Sequence, residues 1–462
     1  MDLLILDIWN MILDLLDFKS KISLITTCKY LRQNLYITDL YNIDAKYLYK
    51  LNTSILQYHI FRNVSSLDAH NNKKIKDVSF MKNLKKLNIH GCIYICQNDI
   101  NGLNLVELDV SDNYNINDVS FMKNLKKLNA YGYCGINQNG IKNLDLIELD
   151  ISYNQKIKDI SFMKNLKILN ARGVCIDQNN IMGLDLIELD VDDNNNIKNV
   201  SFMKNLKKLN ASKNCAIDQN GIKELDLVEL DISYNNKIID ISFMKNLKKL
   251  KARGKCGINQ NSIKGLDLVK LDIDYNDRIN DVSFMQHLKK LSIRQECGID
   301  QDGIKNLNLI KLDISYNNKI KNVSFMKNLK ILIAHGSYGI NQNGIVGLDL
   351  IKLNVNNNDK IKDVSFMKNL KKLHACWNCG VDQNGIKGLN LIELNANYND
   401  KIKDVSFMKN LKKLNASWNC GIDQNGINGL DLIEFNVENN NKIFDVYFMK
   451  NLKKLNTNGI VE

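Results

Sequence analysis

The sequence predicts a right-handed α/β solenoid: a stack of short rungs, each giving one strand to a parallel sheet and a helical or 3-10 turn to the opposite side. Three observations predict it. First, Ser-Phe-Met-Lys-Asn-Leu, or a close variant, recurs ten times, with its Phe at 80, 121, 162, 202, 243, 284, 325, 366, 407 and 448, a spacing of 41 residues with one step of 40. Second, each unit carries Leu-x-x-Leu-x-(Ala/Ile/Val) twice, as in Leu206-Lys-Lys-Leu209-Asn-Ala211 and Leu227-Val-Glu-Leu230-Asp-Ile232, so 41 divides into 20 and 21. Third, an Asn follows the second pattern at a fixed distance in all ten units, at 72, 113, 154, 194, 235, 276, 317, 358, 399 and 440.

Each feature has a physical reading. Alternate residues of a strand face opposite sides. The Leu at position 4 and the Ala, Ile or Val at position 6 of a rung therefore point inward, and positions 3, 5, 7 and 8 point out. One rung cannot bury its leucines alone, but stacked rungs can. Twenty rungs fit between Val64 and Leu452. The recurring LxxLx(A/I/V) with its Asn resembles the leucine-rich-repeat family at its short end, over residues 61–462. The resemblance implies a horseshoe with parallel strands on the concave side, and an Asn amide that hydrogen-bonds the backbone of neighbouring turns. Asn-Gly-Ile-Lys, at 139–142 and 220–223, should open the outer segment of one rung type. No polar C-terminal cap follows Ile460, so the last rung is expected to fray or to associate end to end.

Even rungs keep the Asn only at 214, 378 and 419, and carry Cys one residue later at 134, 175, 215, 256, 297, 379 and 420. Equivalent cysteines lie two rungs apart, about 10 Å at the strand spacing, beyond the roughly 7 Å Cα separation a disulfide spans. They should be free, buried thiols, which fits a reducing compartment. Cys376-x-x-Cys379 has no second pair to make a metal site.

Before the repeats, Ile8, Trp9, Ile12, Leu13 and Leu16 follow helical spacing, and a second stripe runs from Ile22 and Ile25 to Leu31 after Ser20, the expected N-cap. One reading is a cap closing the solenoid. The other is a resemblance. Leu4, Asp7, Ile8, Ile12, Leu13, Leu16, Asp17, Leu24, Cys28, Lys29, Leu31 and Arg32 fall in register with the F-box pattern, with Ile5 where that family has Pro. The resemblance implies a small all-helical F-box-like domain at 1–36 and a linker or cap at 37–60. It also implies that Leu4, Ile8, Trp9, Ile12, Leu13, Leu16, Leu24 and Leu31 bind a Skp-family adaptor of a cullin–RING ubiquitin ligase.

The outward strand positions differ along the chain. Rungs from Leu105 to Leu227 present eleven acids against four bases, whereas rungs from Leu247 to Leu370 present nine bases against three acids. In the first half Glu and Lys often alternate at position 3. The run Lys270, Lys290, Lys311, Lys352 and Lys372 cannot be explained by such pairing, because like charges on neighbouring strands repel. Drift among repeats is the bland reading. The sharper one is a target site comprising Lys251, Arg253, Lys270, Tyr275, Lys290, Arg294, Lys311, Tyr316, His335, Lys352, Lys372, His374, Trp377 and Trp418, since aromatics and Arg beside charge mark interface hot spots. Its expected partner is a protein with an acidic patch; the acidic half-surface opposes nucleic acid.

Composition excludes other classes. The chain has 462 residues, 25% charged, a net charge of +12 and no proline, which rules out collagen and Pro-rich ligands. No run approaches 18 apolar residues, and Met1-Asp2-Leu3-Leu4 has no basic lead, so neither a transmembrane helix nor a signal peptide is expected and no membrane partner follows. P-loop, GxGxxG, HExxH and GxSxG segments are lacking. The expectation is therefore a cytoplasmic interaction protein, not an enzyme, with no cofactor or metal. The Asn, Lys and Ile bias and near-perfect repeats resemble amoebal or large DNA-virus products.

Overall fold

The computed structural model describes residues 2–41 and 43–457. The chain forms two compact units, 1–225 and 226–462.

The first unit opens with three helices, α1 (Asp2–Leu15), α2 (Phe18–Thr26) and α3 (Lys29–Asn34). Asp17 caps α2: its carboxylate accepts the Ser20 amide at 2.9 Å. This corrects the expectation of Ser20 as cap, because the acidic side chain three residues earlier already satisfies that orphan amide. Leu13, Ile25, Leu31 and Leu35 are buried, and α3 lies against the 3-10 turn His59–Phe61. The segment expected as linker holds a two-residue strand, Asp39–Leu40, which pairs in parallel with the first repeat strand through Asp39↔Ser66 and Leu40↔Leu67. Eight three-residue strands then follow in this unit, from Ser66–Asp68 to Lys208–Asn210, each parallel to the next.

The second unit repeats the arrangement with twelve strands among its described residues, from Glu229–Asp231 to Lys454–Asn456. Pairing is in register throughout: Leu271↔Leu291↔Leu312↔Leu332, with the residues before and after them likewise aligned. The central Leu of each rung is at most about 3% exposed through Leu414. Full burial of a Leu contributes about 1.5–3 kcal/mol, so this spine is the main cohesive term. Leu455, in the last described strand, is 37% exposed. The expectation that the last rung frays or associates end to end concerns a rung whose residues beyond 457 lie outside the described residues.

Two amide ladders satisfy the backbone between rungs. Asn154 donates to the carbonyls of Ala130 and Ile136, both at 3.1 Å, and accepts the Lys156 amide at 2.9 Å. Asn399 does the same with Ala375 at 2.8 Å, Val381 at 3.1 Å and the Lys401 amide at 3.0 Å. Such buried turn groups need partners. The second ladder is Gln: Gln383 donates to the Asp404 carbonyl at 2.8 Å while its oxygen accepts the amides of Lys403 and Asp404 at 2.9 and 2.8 Å. Gln97, Gln138 and Gln178 in the first unit, and Gln260, Gln301 and Gln342 in the second, donate likewise. The Asn-Gly-Ile segments form 3-10 turns, as at Asn384–Ile386. Gly385 packs so closely on the backbone of Lys362 and Asp363 that no Cβ fits.

The cysteines are free. All those expected to be buried on even rungs are so except Cys175. The single 40-residue step explains the exception. One residue fewer separates Ala171 from Ile176 than separates Ala130 from Ile136, so Val174 takes the interior place and Cys175 is turned out. The strands, stacked in register with short outer turns, make this a leucine-rich-repeat solenoid preceded by a small helical segment.

Candidate functional site

Position 3 of each rung lies at the start of its strand and faces outward. Elsewhere in the stack Glu and Lys alternate there and form ion pairs: Lys86–Glu107 at 3.0 Å, Lys127–Glu148 at 3.1 Å, Lys372–Glu393 at 2.8 Å and Lys413–Glu434 at 2.6 Å. Three consecutive odd rungs of the second unit replace this Glu by Lys, at 270, 311 and 352. The register therefore sets Lys249, Lys270, Lys290 and Lys311 on successive strands, then Ile331, Lys352 and Lys372. Lys249 is matched by Glu229 and Lys372 by Glu393. Among the described residues, Lys270, Lys290, Lys311 and Lys352 form no ion pair.

Lys270, Lys290 and Lys311 line one side of a hollow of about 370 Å³, with Leu271, Asp272, Leu291, Ser292 and Asp313 as floor and Arg253 and Arg294 on the far side. The arginines are not free. Arg253 bonds the buried Asp272 through two nitrogens. Arg294 donates through Nε to the fully buried Asp274 at 2.7 Å, and the Arg294 amide reaches the other oxygen at 3.0 Å. Asp274 also accepts from the Ser292 hydroxyl at 2.7 Å. Bonding to Asp272 holds the Arg253 guanidinium above its ordinary pKa. Burial raises the Asp313 carboxyl, against bonds from Ser315 that lower it. The fixed charges of the far wall are thus largely neutralised, and the lysines carry the unbalanced charge.

The other expected residues fall into separate groups. Lys251 pairs with Asp231 at 3.1 Å. Tyr316, His335 and Trp377 form an aromatic cluster: ring centroids are 4.9 Å apart for Tyr316–His335 and 5.8 Å for His335–Trp377, the latter parallel within 7°. Desolvation lowers the His335 pKa. Trp418 stacks on Tyr398 at 5.4 Å. His374 and Lys372 share Glu393 at the rim of a second hollow, about 360 Å³, that also includes Lys413, Glu434 and Phe435. Sequence reading passed over this hollow, although Phe435 in place of the rung Leu was a visible signal.

Tyr275, Tyr316, Trp377, Tyr398 and Trp418 all have positive φ, between 56° and 60°. Bulky residues rarely adopt this left-handed region, at a cost of roughly 1–2 kcal/mol each. At Tyr316 a structural benefit is visible. Its ring lies over Gly336, where a Cβ would meet it at 2.6 Å.

In the helical segment the expected adaptor residues divide. Ile8 is 50% and Ile12 37% exposed, with Met11 and Leu15 beside them at 69% and 88%. Trp9, Leu16 and Leu24 are half-buried, whereas Leu13 and Leu31 are core residues. The side chain of Leu4 lies outside the described residues. No helix among the described residues is long and apolar enough to cross a membrane.

No family model matches the chain, and no curated protein matches it. Among solved structures it is similar to the crystal structure of a TLR13–ssRNA13 complex, at 17% identity and a TM-score of 0.47, covering 86% of this chain and 68% of that one. The assignment of the fold rests on the strand register and the amide ladders.

Proposed function

We propose that the chain is the target-recognition subunit of a cullin–RING ubiquitin ligase in the cytoplasm, docking a Skp-family adaptor through α1–α3 and holding an acidic protein target on its strand-lined face. The observation that carries this reading is the outer side of α1. Ile8, Met11, Ile12 and Leu15, at i, i+3, i+4 and i+7, form one apolar stripe turned to solvent. A helix serving only to close the stack needs its inward residues, Leu13 among them, and has no use for that stripe. The F-box-like spacing of the same segment supports an adaptor as the occupant. The target surface is supported by the lysines of the second unit, which the fold does not pair.

The test is co-purification with a recombinant Skp-family adaptor. The wild-type chain should form a stoichiometric complex, and Ile8→Glu with Ile12→Glu should abolish it without changing the circular dichroism spectrum, because both side chains are exposed. Absence of a wild-type complex would leave a scaffold without a ubiquitin link, in which α1–α3 only cap the repeats.

A further inference from the structure

We infer that the strand face of the second unit takes an amphipathic acidic α-helix of a partner protein, laid across the strands with one flank on the row Lys270, Lys290, Lys311 and Lys352 and the other beside Tyr316 and His335. The inference rests on reading this face as the target surface and is independent of the adaptor.

Three observations converge. The first is the control built into the repeats. Glu stands at odd-rung position 3 at 107, 148, 188, 229, 393 and 434, and Lys at 270, 311 and 352. The fold is equally regular in both regions, so folding does not require the change, and the unpaired lysines repel one another when nothing is bound. The second is spacing. Successive strands lie about 4.8 Å apart and successive helical turns about 5.4 Å. From Lys270 to Lys352 is four steps, roughly 19 Å across strands against roughly 22 Å along a helix, a mismatch that flexible Lys stems absorb. Acids one turn apart therefore meet successive lysines. Ile331, which interrupts the row beside the half-buried Ile333, calls for an apolar residue on the fourth turn.

The third is width. Position 3 and position 7 of successive rungs stand on opposite sides of the hollow lined by Lys270, Lys290, Lys311, Arg253 and Arg294. A helix about 10–12 Å across laid over that hollow sets one flank on the ammonium groups and the other along the opposite edge, where Tyr316 and His335 stand on the rungs of Lys311 and Ile331. The same separation disfavours single-stranded nucleic acid. A nucleotide carries its base one sugar away from its phosphate, whereas here cations and rings stand in distant rows.

The test uses the purified full chain without adaptor and a fluorescein-labelled helical peptide of about five turns. One flank carries Glu on turns one, two, three and five and Leu on turn four; the other flank carries Leu and Phe. Fluorescence anisotropy should show saturable binding, weakened at least tenfold in K270E/K290E/K311E and less in the milder K270Q/K290Q/K311Q. A charge-reversed peptide with Lys for Glu should regain affinity for the Glu variant, and His335→Ala should weaken the original peptide. Four results would each overturn the inference: no binding to the wild-type chain, equal binding of a proline-interrupted peptide of the same charge, indifference to the lysine variants, or tighter competing binding by a single-stranded RNA of equal charge. Because no adaptor is present, these outcomes are separate from the fate of the ligase reading.

Discussion

Asn399→Ala should destabilise the stack strongly and Asn378→Ala hardly at all, although the two residues follow the same repeat pattern. Asn399 is 1% exposed and makes three hydrogen bonds, to the carbonyls of Ala375 and Val381 and from the amide of Lys401. Alanine leaves those three backbone groups without their partner in a place that excludes most water. Each stranded buried group costs about 1–3 kcal/mol. Allowing for local relaxation and for water reaching the half-buried Lys401 amide, the total is about 3–5 kcal/mol. Asn378 is exposed, so its replacement should stay within about 0.5 kcal/mol. Stability in a repeat array is local and passed between neighbours, which makes native-state hydrogen exchange the suitable assay. In Asn399→Ala, amides of the strands Lys372–His374, Glu393–Asn395 and Lys413–Asn415 should exchange roughly a hundredfold faster or more, at about 1.4 kcal/mol per tenfold. In Asn378→Ala they should be unchanged. Equal effects in the two variants, or protection unchanged in both, would refute the assignment of the Asn ladder as the link between turns.

Three further predictions follow from particular side chains. Arg294→Ala removes a charged hydrogen bond from the buried Asp274 and should lower stability by about 1.5–3 kcal/mol, whereas Lys290→Ala, lacking an ion pair, should stay within about 0.5 kcal/mol; urea unfolding of both variants checks this. Burial pushes the thiols of Cys92, Cys256, Cys297, Cys379 and Cys420 up to about 11 and those of Cys134 and Cys376 up to about 12. At pH 8 Ellman's reagent should therefore modify the exposed Cys28 and Cys175 rapidly and these seven only after denaturation. Asp313 has its folded pKa raised by burial, so its charged form destabilises the folded state above that pKa and the penalty disappears as pH falls through it towards the unfolded value of 3.8. Asp313→Asn should accordingly raise Tm near pH 7, with the gain vanishing in acid; a gain that grows on acidification would contradict the burial argument.

Much of the architecture was legible because a period of 41 with two leucine patterns admits few other packings. The buried Asn of odd rungs was legible for the same reason. The even-rung Asn378 and Asn419 were not, because equal spacing from the leucines does not reveal that those turns place the residue outside. The Gln ladder went unread: Gln-Asn-Gly looks like turn punctuation until the orphaned amides of the next turn, such as Lys403 and Asp404, are in view. The charge tally counted Arg253 and Arg294 with the lysines, although both are paired. Their partners, Asp272 and Asp274, lie 19 and 20 residues away in sequence, and only the stacking of rungs brings them together. For the helical segment, spacing identified the apolar residues. Which of them face solvent depends on how α1 sits on its neighbours, and one helix alone does not determine that.

The most direct test of the stack is a set of distances by double electron–electron resonance within the second unit. Spin labels would be placed at 249 paired in turn with 311, 352 and 393, in a background with Cys28, Cys96 and Cys175 changed to Ser. These pairs are three, five and seven strands apart. In-register parallel stacking predicts backbone separations of about 14, 24 and 34 Å, rising by about 4.8 Å per strand. Separations that fail to increase with the number of intervening strands would contradict it, and with it the lysine row on which the binding surface depends.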